Sequence, residues 1–144
     1  MSLDNILRLF DAVAEAYDNP NYRPRSGLTF CNLACQYICE KMGCNKFDGM
    51  MANEIVDTMR KSSDWGSIKI EEAQDYANQG RLVVAGQQNQ PHGHVVVIRP
   101  GVATYSPKWG VLSPKVVNIG ADNFLDKGLS WVFREKPEVF LYKG

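Results

Sequence analysis

An excess of charge of either sign is what this chain lacks most plainly: 16 lysines and arginines face 16 aspartates and glutamates. Zero net charge removes the basic surplus with which proteins hold nucleic acid or anionic membranes, so neither is an expected partner. Long apolar runs are missing as well. None approaches the roughly 20 residues needed to cross a bilayer. The first segment is not a secretory leader, because Asp4, Arg8, Asp11, Glu15 and Asp18 interrupt its apolar residues. The chain is therefore expected to be made in the cytoplasm and to leave, if it leaves, without an N-terminal signal. Histidine is scarce, with only His92 and His94. The four cysteines all fall between residues 31 and 44, and Cys31, Cys35 and Cys39 repeat at i, i+4, i+8. Neighbours along one helix face are poorly placed for disulfides, which predicts reduced thiols there. Without the usual ligand knuckles and with two histidines, no metal site is expected, and nothing signals a cofactor. Cys35 and Cys39 read as small core residues. Repeats, low-complexity tracts and dividing linkers are also lacking.

What remains is an ordinary apolar content of 44% in 144 residues, enough for one domain over 1–144 with a sizeable core. Leu3, Ile6, Leu7, Phe10, Val13, Ala14 and Tyr17 form a stripe that predicts a helix over 3–17, ended by Asp18-Asn19-Pro20-Asn21. A loop rich in proline and arginine follows. Thr29 is a suitable N-cap for a second helix that stops at Gly43. Further helices are predicted at Ala52–Lys61 and at 70–79, the latter ended by Gly80. The period then changes. Short apolar runs bounded by turn residues predict strands at 82–85, 95–98, 102–105, 115–119, 131–133 and 139–142. Helices first and strands after imply an α+β fold, with N-terminal helices packed on a small antiparallel sheet.

Two short runs carry the chemistry. In Thr29-Phe30-Cys31-Asn32-Leu33-Ala34 a cysteine opens a predicted helix, where backbone N–H groups and the helix dipole favour a thiolate. In Gly93-His94-Val95-Val96-Val97-Ile98 a histidine opens a predicted strand. An imidazole there can take the thiol proton and later deliver it to a leaving amine. His92 is the competing base, but it follows Gln88-Asn89-Gln90-Pro91 in an expected loop tip, whereas His94 has a rigid strand behind it. A third polar group should orient the imidazole. Asn118 is the leading candidate, with Ser106, Asp122, Asn123 or a backbone carbonyl as alternatives. N–H groups at the Cys31 helix start would hold an oxyanion, and the Tyr22 phenol is a candidate further donor. Tyr22 is equally suited to packing the loop. Trp109 and Tyr105 are candidates for a cleft wall or for the core. Arg23 and Arg25 are candidates for a substrate carboxylate or for solvent.

Four runs taken together resemble a known family. They are Cys31-Asn32-Leu33-Ala34, Met51-Ala52-Asn53-Glu54-Ile55-Val56-Asp57, Ala77-Asn78-Gln79-Gly80-Arg81-Leu82-Val83-Val84-Ala85-Gly86 and Gly93-His94-Val95-Val96-Val97-Ile98. Their order and spacing look like the NlpC- and CHAP-type papain-like peptidoglycan hydrolases, and are especially similar to the type VI secretion amidase effectors. The resemblance covers roughly residues 22–100, and Trp109-Gly110 with an aromatic strand near 140–142 also fits. It implies a papain-like fold and cleavage of an amide bond in the peptide stem of bacterial peptidoglycan, with Cys31 as nucleophile and His94 as base. Asn118 as orienting residue and Tyr22, Asn32 and Trp109 as substrate contacts complete the expected site. The common Asp-Cys-Ser-Gly form of the motif is Phe30-Cys31-Asn32-Leu33 here, which removes a carboxylate beside the nucleophile. A monomer acting on the cell wall is implied, either an injected effector paired with an immunity protein or a phage lysis enzyme. The rival readings are an acyl-transfer or deamidating enzyme acting on protein side chains, and an inactive binding module of the same fold.

Overall fold

Four α-helices and a five-stranded antiparallel sheet make up the bulk of the structure, a computed structural model that describes residues 2–144. Helix α1 (Leu3–Asp18) begins at Ser2, whose hydroxyl accepts a hydrogen bond from the Asn5 N–H at 3.3 Å. It buries Leu9, Ala12, Val13 and Ala16 against α2 (Cys31–Lys41), while Leu3, Leu7 and Phe10 stay exposed. The expected stripe is thus rotated. Two apolar faces overlap in this helix, and the one holding two alanines lets a neighbouring helix approach closely. Helix α2 is preceded by Phe30, which has no capping side chain, so Thr29 is not its N-cap. Gly43 ends that helix with φ of +90°, a left-handed conformation in which a side chain is strained.

Helix α3 (Ala52–Lys61) opens with the Glu54 carboxylate accepting from the Met51 N–H, and α4 (Ile70–Asn78) opens with Glu72 accepting from Lys69. The strands are β1 (Trp65–Ile68), β2 (Val83–Gln87), β3 (His94–Ile98), β4 (Thr104–Ser106), β5 (Val111–Ser113), β6 (Val116–Val117) and β7 (Glu138–Tyr142). The main sheet has the order β1-β7-β2-β3-β6, every neighbour antiparallel, and β4 pairs with β5 in a separate hairpin. Strands β1 and β5 are additions to the sequence-based expectation. Neither shows a run of buried apolar residues, because each lies at the edge of its sheet. Residues 131–133 are not a strand: Leu129–Trp131 form a 3₁₀ turn that exposes Trp131 and directs Phe133 inward.

The core is continuous. Val83, Val84 and Ala85 of β2 and Val95 to Ile98 of β3 are all buried, on both faces of the sheet, which explains their unbroken apolar runs. Helices α2, α3 and α4 each pack against β3. Phe47 stacks on Trp65 at 5.5 Å, and Trp65 meets Tyr142 at a tilt with centroids 5.0 Å apart. Among the described residues no helix is long and apolar enough to cross a membrane.

Candidate active site

Packing of α2 on β3 brings the first residue of the helix to the first residue of the strand. Cys31 and His94 interact directly there. Burial pushes the Cys31 thiol up. The hydrogen bond and charge of the His94 imidazole, with the N–H groups of Val95 and Asn32, more than reverse that, and the thiol lies below its usual range. Burial pulls His94 down, but its hydrogen bond to Cys31, the thiolate charge and the bond to Asn118 raise it above the ordinary imidazole value. A lowered thiol facing a raised imidazole favours a thiolate–imidazolium pair. Phe30 contributes no cap, so the first N–H groups of α2 remain available for negative charge.

Asn118, just beyond β6, holds the ring. His94 Nε2 and Asn118 Oδ1 are 2.7 Å apart, which leaves Nδ1 for the thiol. The sense of the amide is fixed, because Asn118 Nδ2 donates to the Asp122 carbonyl at 2.8 Å. The turn beyond is closed by paired backbone bonds between Asn118 and Phe124, and Asn123 Oδ1 accepts from the Gly120 N–H. Two of the sequence alternatives, Asp122 and Asn123, thus support Asn118. Ser106 instead accepts from the Trp109 N–H. The His94 ring also meets Phe133, with centroids 5.7 Å apart. A Cβ on Gly120 would lie 3.2 Å from its Cε1. The imidazole is therefore confined by a bond at one nitrogen, an aromatic ring and a glycine.

A cleft of about 330 Å³ opens beside Cys31, bordered by Leu28, Thr29, Asn32, Met51, Asn53 and His92. Among the described residues no aspartate, glutamate, lysine or arginine lines it. A larger hollow of about 390 Å³ lies between α1 and Lys41, and contains no nucleophile. The loop 88–93 forms one wall of the cleft and is clamped to α3. Asn53 Nδ2 donates to the Asn89 carbonyl at 2.8 Å, and Asn53 Oδ1 accepts from the Asn89 N–H at 3.1 Å. Gln88 returns a bond to the Asn53 carbonyl, and Arg60 holds Gln88 and Glu138 together. Gly93 is required by this closeness, since a Cβ there would stand 2.2 Å from Asn53 Oδ1 and 2.5 Å from the Gln87 carbonyl. Asn53→Ala removes two exposed hydrogen bonds, so loop opening should become easier by about 1 kcal/mol. The expected result is faster amide exchange at Asn89 with an unchanged global unfolding midpoint.

Of the other expected site residues, Asn32 borders the cleft, where its amide donates to the Met50 carbonyl at 3.1 Å. Tyr22 does not border it. Its ring meets Tyr37 edge-on at 6.4 Å, and burial followed by the charge of Glu40 raises its hydroxyl. That is the loop-packing role. Trp109 is buried rather than walling the cleft, and its indole N–H points to the Arg134 carbonyl at 3.5 Å. Arg25 lies over the Phe30 ring at 4.6 Å and donates to the Asn21 carbonyl. His92 lines the cleft from its exposed loop, apart from the Cys31–His94 contact. Sequence reasoning missed Phe133, Gly120 and Asn53 as site residues. Only Asn53 left a signal, inside the Ala52-Asn53-Glu54 run. No family model matches the chain, and no curated protein matches it.

Proposed function

We propose that this protein is a papain-like cysteine hydrolase that cleaves an amide bond in the peptide stem of bacterial peptidoglycan. The observation that carries the reading is the ordered Cys31–His94–Asn118 chain, with the thiol lowered and the imidazole raised. Acyl transfer needs this combination of a ready nucleophile, a proton carrier and an orienting group. The stem-peptide substrate, and action on the wall of a target or phage-infected cell as a single-domain monomer, rest on the sequence resemblance. An uncharged cleft beside the thiol suits the neutral amide and alkyl groups of such a peptide.

In this mechanism the Cys31 thiolate attacks the amide carbonyl carbon and forms a C–S bond. N–H groups at the start of α2 receive the oxyanion. The C–N bond breaks as the His94 imidazolium delivers its Nδ1 proton to the departing amine. A water then attacks the thioester, giving its proton to the now neutral Nδ1. The C–S bond breaks, the acid leaves, and the thiolate–imidazolium pair is restored. The reading is tested by incubating the protein with purified Gram-negative muropeptides and weighing the products. Two fragments whose masses sum to the parent plus one water are expected. Intact muropeptides would overturn the substrate. A gain of one water with loss of ammonia from glutamine side chains in added protein would install the deamidase reading instead.

A further inference from the structure

The active pair lies between two hollows, and their linings differ in a way that sorts the two halves of a substrate. Apart from the Cys31 thiolate itself, no acidic side chain, lysine or arginine lines the Cys31 cleft. A second hollow of about 190 Å³ is lined by His94 but not by Cys31, together with Gln87, Asn89, Phe133 and Arg134, while His92 and Gly93 border both. When a thiolate attacks an amide, the acyl carbon bonds to sulfur and the nitrogen collects its proton from the imidazole. The acyl half therefore belongs in the Cys31 cleft and the amine half in the His94 hollow.

Among the described residues Arg134 is the one arginine or lysine lining that second hollow, where it joins the His94 imidazole, and no carboxylate borders it. Among the described residues its guanidinium makes no hydrogen bond or ion pair, whereas nearby Glu138 is occupied by Arg60. The chain leading into it is nevertheless tied down. The Trp109 indole points to the Arg134 carbonyl, and Lys108 Nζ donates to the carbonyls of Ser130 and Phe133 at 2.8 Å each. An exposed cation without a partner, lining a hollow with the Gln87 and Asn89 amides and the His94 imidazole, suits an anion. We propose that Arg134 determines specificity for the leaving group by pairing with a carboxylate carried on the amine half of the substrate. This rests on the hydrolase reading above and narrows it to amide bonds whose amine partner is a carboxylate-bearing amino acid.

The test uses the full chain with Cys31→Ala, so that binding is measured without turnover. Two synthetic stem peptides differ only in the residue that supplies the scissile nitrogen, which carries either a free carboxylate or a carboxamide. Calorimetry should show about tenfold tighter binding of the carboxylate form, as for a charge-assisted pair at a partly exposed site. Arg134→Gln in the same background should erase the difference, and Arg134→Lys should retain part of it. Equal affinities, or a carboxylate preference that survives Arg134→Gln, would overturn the subsite. Cleavage of both peptides by the unsubstituted protein at equal efficiency would overturn it too, while leaving the hydrolase reading standing. Failure of the unsubstituted protein to cleave either peptide and of the Cys31→Ala chain to bind either one would overturn both.

Discussion

With Cys31 replaced by alanine, turnover should fall about a million-fold, the scale of removing a nucleophile that works as a unit with its base. The fold should survive, since the side chain lost is small and lies at a helix end. Replacing His94 by alanine separates reactivity from turnover, because Cys31 can then be followed by its rate of alkylation with iodoacetamide. The sign follows from the causes that act on the thiol. Burial raises it, while the imidazole's bond and charge lower it most strongly. In the intact protein the alkylation rate should rise with pH at a midpoint below that of an ordinary thiol, about 8.5. Without the imidazole, burial dominates, the midpoint moves up, and reaction at neutral pH slows. A midpoint that stays put in His94→Ala would show that the pair does not set the reactivity of Cys31, and the acyl-transfer mechanism would fall with it.

Asn118→Ala should lower kcat by about 10- to 150-fold, which corresponds to the roughly 1.5–3 kcal/mol of a hydrogen bond to a charged group in a buried site. Asn118 gives the imidazole its orientation and adds to the raising of His94. Its loss therefore has two readouts. The ring becomes free to turn away from the thiol, which lowers kcat more than it changes KM. The raised value of His94 also falls. The imidazolium is the form that persists below the His94 value and is lost as pH rises through it. The alkaline limb of kcat should accordingly move to lower pH. A purely structural asparagine would weaken the fold without shifting that limb, so the pH profile separates the two roles.

The element types were legible where one period dominates. The apolar runs read as strands at 82–85 and 95–98 fall on Val83–Gln87 and His94–Ile98, the helix at Ala52–Lys61 could be read directly, and Gly43 and Gly80 marked the stops. The rotation of α1 was not legible, because two apolar stripes share its residues and only the partner helix chooses between them. Strand β1 was hidden by edge pairing, which is satisfied by backbone bonds to β7 and needs few buried side chains. Within the candidate site, the grouping of Cys31, His94 and Asn118 was legible because the proposed chemistry asks for those particular side chains. Phe133 was not, since an aromatic ring that confines an imidazole looks like any other core residue. Trp109 and Tyr22 stayed open between cleft and packing for the same reason: large amphipathic rings suit both equally, and the sequence holds no record of which neighbour they meet.

The position of β7 has a consequence for when the protein becomes competent. Residues 138–142 lie in the interior of the sheet, between β1 and β2, although they are made after every other strand. During synthesis Trp65–Ile68 has no sheet to join, and Val83–Gln87 keeps one edge open, until that last strand has emerged. The support behind the β2–β3 hairpin that carries His94 is therefore incomplete in any shorter nascent chain. Topology alone delays assembly of the thiol–imidazole pair, drawn from residues 31 and 94, until residues more than forty positions downstream exist. A cell making this protein would meet the finished site only after residues 138–142 have emerged and paired.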